Sequence, residues 1–300
     1  MKPFLLALLL PAISLPALAQ SFQAKAALSP KDGKPLVAWI IRSNDKQIEF
    51  QKSEVATVTE FANIDSFQTI YLMYQNDFAD AVDLYEGGDY KVAQEKFVEL
   101  KKRYTPIATL KDNFHTLSAF YEMECMRKLG DYKGLSKALQ SFKKEPLTRE
   151  HRLRQLELYV MWDAVGSEQW AQVLAIANGR DLEDLPDYQQ VQIAFGKGLA
   201  LQKTGKTEEA LVEYSHTMTA DAGASEGLVQ KAVLNSLEIY LQDPTVVAAL
   251  ASLKANPENK SLPGFTRLSR AAALAKIYET VLSPAEPLPA NYKAILPYAG

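Results

Sequence analysis

The feature that most constrains this chain is a glycine turn that recurs between helical patterns. In AVDLYEGGDYKVAQEKFVELKKRY, residues 81–104, Leu84 and Tyr85 close one amphipathic run, Gly87-Gly88-Asp89 interrupts it, and Ala93, Phe97 and Leu100 open the next on a single face. Spacings of three and four residues place those three side chains on one helical stripe. Glycine supplies the positive φ that ends a helix and lets the chain fold back. The segment therefore predicts two antiparallel helices. Gly88-Asp89-Tyr90 returns as Gly130-Asp131-Tyr132, and comparable turns are read at Gly166-Ser167, before Trp170, and at Gly205-Lys206.

Four helix pairs follow from this punctuation: 77–86 with 90–104, 110–129 with 133–143, 149–164 with 168–177, and 188–203 with 207–219. The positions of Tyr90, Tyr132, Trp170 and Thr207 give a period of 37 to 42 residues. Self-similarity at that period is the mark of a helical array in which each pair buries its apolar face against the next. Farther on, Ser225 is placed to cap a helix reaching Gln242, and Asp243-Pro244 starts another that ends near Asn256. A last helix runs from Phe265 to Val281 with an alanine-rich face.

The residues at the turns and crossings resemble tetratricopeptide repeats. That unit has a small residue in its first helix, a glycine turn, then an alanine and an aromatic in its second. Ala81, Gly88, Ala93 and Phe97 fill these places in the first pair, and Gly198, Gly205, Ala210 and Tyr214 in the fourth. The second and third pairs depart from the pattern, with Met123, Leu135 and Leu139, and Met161, Val173 and Ala177, in the matching places. The resemblance covers residues 75–219 and implies a mainly α fold, a right-handed α-solenoid of stacked antiparallel helix pairs. It further implies partner binding on the concave face, where Phe78, Val82 and Tyr85, then Phe120, Glu124 and Arg127, then Phe195, Leu199 and Gln202 would stand. Phe78, Phe120 and Phe195 recur at one place and would together make an exposed apolar trough for a helix or an extended peptide, unless the β segment, the tail or ordinary packing covers them.

Around the helical region, residues 73–282, the pattern changes. Residues 1–19 carry Lys2, an apolar run from Phe4 to Leu10, and Ala17-Leu18-Ala19 before Gln20, the layout of a cleavable secretory signal peptide. Residues 20–72 read as a small antiparallel β module of three to five strands, with alternation at Val37, Trp39 and Ile41, at Ile48 and Phe50, and at Val55 and Val58. Asp32-Gly33 and Ser43-Asn44-Asp45 supply its turns, and Trp39 is read as a core residue rather than a stacking platform for a ligand. Residues 283–300 form a proline-rich tail without a helix signal, and Tyr292, Ile295, Leu296 and Tyr298 suit it to dock along the helices.

Chemistry-bearing motifs are sparse. A net charge of −3 gives no global basic field for nucleic acid. Cys125 is the only cysteine and falls inside a helical pattern, so it reads as a small buried apolar residue. His115, His151 and His216 have no metal-ligand spacing, and His151, beside Arg149, Glu150 and Arg152, reads as a solvated helix end. Asp181, Glu183, Asp184 and Asp187 lack the alternation of a calcium loop and read as a solvated linker. No nucleotide-loop or hydrolase signature occurs, and no cofactor is expected. The expectation is therefore a non-enzymatic interaction scaffold, exported, without a transmembrane anchor, that binds another protein or peptide and no nucleic acid. A cell-envelope recognition protein in which the β module does the recognising is the alternative.

Overall fold

The repeated turn is visible at the level of single hydrogen bonds. A computed structural model describes residues 22–180, 185–220, 225–256, 258–259, 261–282 and 287–299. Its first four helix pairs are α1 (Asn76–Glu86) with α2 (Tyr90–Arg103), α3 (Phe114–Leu129) with α4 (Tyr132–Ser141), α5 (Glu150–Gly166) with α6 (Trp170–Asn178), and α7 (Asp187–Lys203) with α8 (Thr207–Ala220). At each junction a backbone N–H two or three residues past the helix donates to a carbonyl in its last turn. Asp89 bonds Leu84 at 2.9 Å, Asp131 bonds Met126 at 2.9 Å, Gln169 bonds Ala164 at 2.8 Å and Lys206 bonds Leu201 at 2.9 Å. This closure requires a left-handed residue just before the donor. Gly88, Gly130 and Gly205 supply it with φ of 87°, 80° and 81°.

The third junction corrects the expected turn at Gly166-Ser167. Gly166 ends α5, and the left-handed residue is Glu168, with φ of 57°. Gly166 is needed for a different reason. A Cβ there would lie 2.4 Å from the carbonyl oxygen of Tyr132, so its hydrogen is what lets two neighbouring turns touch.

Small residues at the helix crossings act as expected. Ala81 and Ala93 are fully buried, and a Cβ on Gly198 would stand 2.8 Å from Tyr214 Cε1. In the divergent pairs Met123, Leu135, Met161 and Val173 occupy the same buried places. Helix α3 starts four residues later than the periodicity suggests. The preceding stretch forms a 3-10 turn at Thr105–Ile107, and Asn113 caps α3 by accepting from Thr116 N at 2.8 Å.

Beyond the pairs lie α9 (Glu226–Gln242), α10 (Pro244–Ala255), α11 (Phe265–Ile277) and the single turn α12 (Ala290–Lys293). Asp243 caps α10 through Thr245 N as expected, whereas Ser225 makes no side-chain cap bond at α9. After α11 the chain continues as a π-turn, Tyr278–Leu282. The described part of the tail does dock. Leu288 and Ile295 are buried, and the 3-10 turn Leu296–Tyr298 lies against α11, so this segment has the local helical structure the sequence did not announce.

The N-terminal strands are β1 (Ala24–Pro30), β2 (Leu36–Ser43), β3 (Gln47–Gln51), β4 (Glu60–Asn63) and β5 (Phe67–Leu72), in one antiparallel sheet of order β4-β3-β2-β1-β5. Its inner face presents Ala24, Ala26, Leu28, Ala38, Ile40, Ile48, Phe50 and Leu72, all buried, and β2 packs on the turn Thr105–Ile107. Two expectations are corrected. Val55 and Val58 belong to no strand and are exposed, since they fall in the connection between β3 and β4. Trp39 lies on the outer face, half-buried, with the Lys25 ammonium 5.5 Å from its ring, because the pleat that buries Ala38 and Ile40 turns it outward.

The expected signal peptide, and Asp181, Glu183 and Asp184 of the acidic linker, lie outside the described residues. Among the described residues no helix is long and apolar enough to cross a membrane.

Candidate partner-binding cleft

The nine residues expected on an open concave face are mostly internal. Phe78, Val82, Phe120, Glu124, Arg127 and Phe195 are buried, and Tyr85, Leu199 and Gln202 are half-buried. The expected trough of exposed aromatics is thus corrected, since the rings fill space within and between helix pairs. Phe78 meets Phe114 at 4.9 Å and Phe97 at 5.9 Å, Phe120 meets Tyr159 at 6.0 Å, and Phe195 meets Tyr214 at 5.9 Å. Helical periodicity shows which stripe turns inward, and here that stripe is the core.

Glu124 and Arg127 are corrected in the same way. Their ion pair is closed on itself: Arg127 donates from Nε to Glu124 Oε1 at 2.9 Å and from Nη2 to Oε2 at 2.7 Å. Tyr159 of α5 adds a bond to Oε1 at 2.6 Å, and Tyr85 of α1 one to Oε2 at 3.1 Å. Burial works to raise the Glu124 carboxyl, but the bidentate guanidinium and the Tyr159 hydroxyl outweigh it and hold the group below its usual range. The same carboxylate, after burial, pushes both tyrosine hydroxyls upward, so they remain donors.

Similar polar contacts join the later first helices. Gln155 of α5 and Gln192 of α7 exchange reciprocal amide bonds, each 3.0 Å, and Trp162 Nε1 donates to Gln192 at 2.9 Å. Gln202 donates to Glu238 of α9 at 3.0 Å and accepts from Tyr214 at 2.6 Å. Cys125 is buried as expected, and burial raises its thiol to about 12.

An open concavity lies elsewhere, where the sheet meets the helices. A cleft of about 910 Å³ runs between β5, the start of α1, the loop before α3 and the start of α5. Local sequence chemistry builds each wall. Asn113 Nδ2 donates to the carbonyls of Ala108 and Leu110, at 2.9 and 2.6 Å, and so shapes the loop before α3. Asp112, left-handed at φ 46°, donates from its N–H to Pro146 O at 2.7 Å, and its carboxylate accepts from Thr148 N at 3.0 Å and from the Thr148 hydroxyl. These bonds fasten the α4–α5 connection beside α3 and deliver Arg149, His151 and Arg152 to the rim. Ser43 Oγ and Thr109 Oγ1, 2.7 Å apart, tie the β2–β3 turn to the same loop.

The floor is apolar, with Phe78, Phe114, Leu117 and Tyr121, while Tyr71 and Tyr74 stand 60% and 61% exposed on its flank. The rim carries Lys31, Lys111, Arg149 and Arg152 against Asp45, Asp65 and Asp112. None of those four cations forms an ion pair among the described residues. Arg152 is half-buried, and its Nε is shielded from solvent with no hydrogen-bond partner. Partial burial, then the charges of Arg152 and Arg149, lower the neighbouring His151 below its ordinary value and keep it neutral near pH 7.

Sequence reading placed Arg149, His151 and Arg152 at a solvated helix end and did not connect them with Tyr71 and Tyr74. Their only signal is a set of basic residues at the start of a helix, Arg149 at its cap and His151 and Arg152 in its first turn. Among the described residues no cluster of histidine, cysteine and carboxylate side chains is suited to hold a metal. No protein-family model matches the chain, and neither a curated protein nor a solved structure matches it significantly.

Proposed function

We propose that this chain is a non-enzymatic protein–protein interaction scaffold of the bacterial cell envelope. In this reading it is exported by its N-terminal signal peptide, and its helix pairs stack as a right-handed, tetratricopeptide-like solenoid. The observation that carries the binding role is the cleft between sheet and helices. It joins an apolar floor to exposed tyrosines and to cations that have no ion pair among the described residues, the mixture that lets a concave site desolvate a partner and orient it. Both parts of the molecule contribute walls, so the β module recognises the partner jointly with the helices. The inner stripe serves cohesion instead.

Tyr71 and Tyr74 are exposed, so Tyr71→Asp with Tyr74→Asp should leave folding intact while disrupting the cleft. Affinity capture from envelope extract, compared with wild type and read by mass spectrometry, should lose a specific partner. Recovery of the same partners by the folded double variant would refute the cleft as the binding surface.

A further inference from the structure

The cleft is lined by the consecutive residues Phe67 to Leu72, not by alternate ones. A strand that offers a face contributes every second residue, whereas one that offers its edge contributes all of them. Among the described residues β5 is the last strand of the sheet and pairs only with β1. Its register sets Ala27 opposite Tyr71 and Ala26 opposite Leu72, and Met73 N donates to Lys25 O at 2.9 Å. In an antiparallel ladder the residues that bond the neighbour alternate with those that do not. Met73 and Tyr71 therefore bond β1, and the N–H and C=O of Ile70 and Leu72 point to the free side, into the cleft.

Exposed edges invite a further strand unless they are blocked by charge, proline or a bulge. The one irregularity in β5 falls between Thr69 and Phe67, at its far end, and leaves Ile70 and Leu72 clear. The cleft beside that edge is also lined by Lys31, Lys111, Arg149 and Arg152, none ion-paired among the described residues, against Asp45, Asp65 and Asp112, of which the Asp112 carboxylate is occupied by Thr148. The unpartnered, solvent-shielded Nε of Arg152 needs an acceptor that the described residues do not provide.

We infer that the cleft binds an extended acidic segment of another protein, which adds to the sheet as a sixth strand along β5 and places a carboxylate on Arg152. This rests on the scaffold reading above and specifies its partner. Main-chain bonds to Ile70 and Leu72 give affinity, and the cations select acidic side chains at alternate positions.

The test uses fluorescein-labelled ten-residue peptides of alternating valine and glutamate, or valine and lysine, with anisotropy read on the purified protein. The glutamate peptide should bind at least tenfold more tightly than the lysine peptide, and Arg152→Glu should remove that preference. Two further glutamate peptides carry N-methyl groups on one or the other alternate set of amides. Only one of them should lose binding, because only one side of an added strand faces β5. Ile70→Pro should also abolish binding, and the methylated peptides decide the matter if that variant misfolds. Equal binding of the two methylated peptides overturns strand addition, and equal binding of glutamate and lysine peptides overturns the acidic preference. A concentration-dependent dimer in light scattering that Ile70→Pro abolishes would assign the edge to a second copy instead. Absence of peptide binding refutes this inference alone, since the capture experiment on Tyr71 and Tyr74 tests the scaffold reading independently.

Discussion

Two arginines, Arg127 and Arg152, show how differently one side chain can be used within two neighbouring helix pairs. Arg127 is buried, and its guanidinium grips Glu124 with two bonds while tyrosines from α1 and α5 fill the remaining acceptor positions. Arg152 stands at a cleft with no ion pair among the described residues and with a shielded Nε that has no partner. A buried charge whose partners are all supplied from within fastens helices together. One left incomplete at an open concavity keeps its bonding capacity for something outside. The contrast separates groups that hold this fold from groups available to a partner.

Breaking the closed pair should have the largest effect. Glu124→Gln leaves a buried guanidinium without its counter-charge and should cost about 3–5 kcal/mol in denaturant unfolding. Replacing both partners by leucine should recover most of that loss, since a buried pair is worth little against well-packed apolar groups. A cost for the double variant as large as for the single one would show that the network does more than satisfy itself.

Acid titration sharpens the same comparison with a smaller effect. Because the folded Glu124 carboxyl lies below its ordinary value of 4.5, its contribution is present above that value. It is lost as pH falls through the folded value. Wild type should lose stability more steeply than Glu124→Gln below about pH 4.5 in thermal melts, and parallel profiles would contradict the depressed carboxyl. Least of all, Arg152→Leu should change stability by no more than about 0.5 kcal/mol, because no described residue forms an ion pair with it. A loss comparable to that of Glu124→Gln would make Arg152 structural and remove the contrast.

The helix pairs and their turns could be read from the chain because they are local. Glycine, a following aspartate and the three-to-four spacing act within a few residues of one another, and α1, α2 and α7 start and end within a residue of expectation. The candidate site was not legible, for the opposite reason. Phe67–Leu72, Tyr74, Lys111, Arg149, His151 and Arg152 come together only after the sheet docks on the helices and Asp112 has fastened Thr148. Glu124 and Arg127 misled for a related reason. The resemblance to the repeat sets them on an open concave face, and only Tyr85 and Tyr159, 39 and 35 residues away, disclose that this face is covered.

Glu168 takes the backbone shape that glycine takes in the three sister turns, and keeps the same closing bonds. A side chain in that conformation costs about 1–2 kcal/mol, so the α5–α6 corner is held by its surroundings more than by its own preference. Pulled from its two termini, the array is expected to yield at that corner before the glycine ones, as a hinge pin of softer metal gives way first in a row of steel.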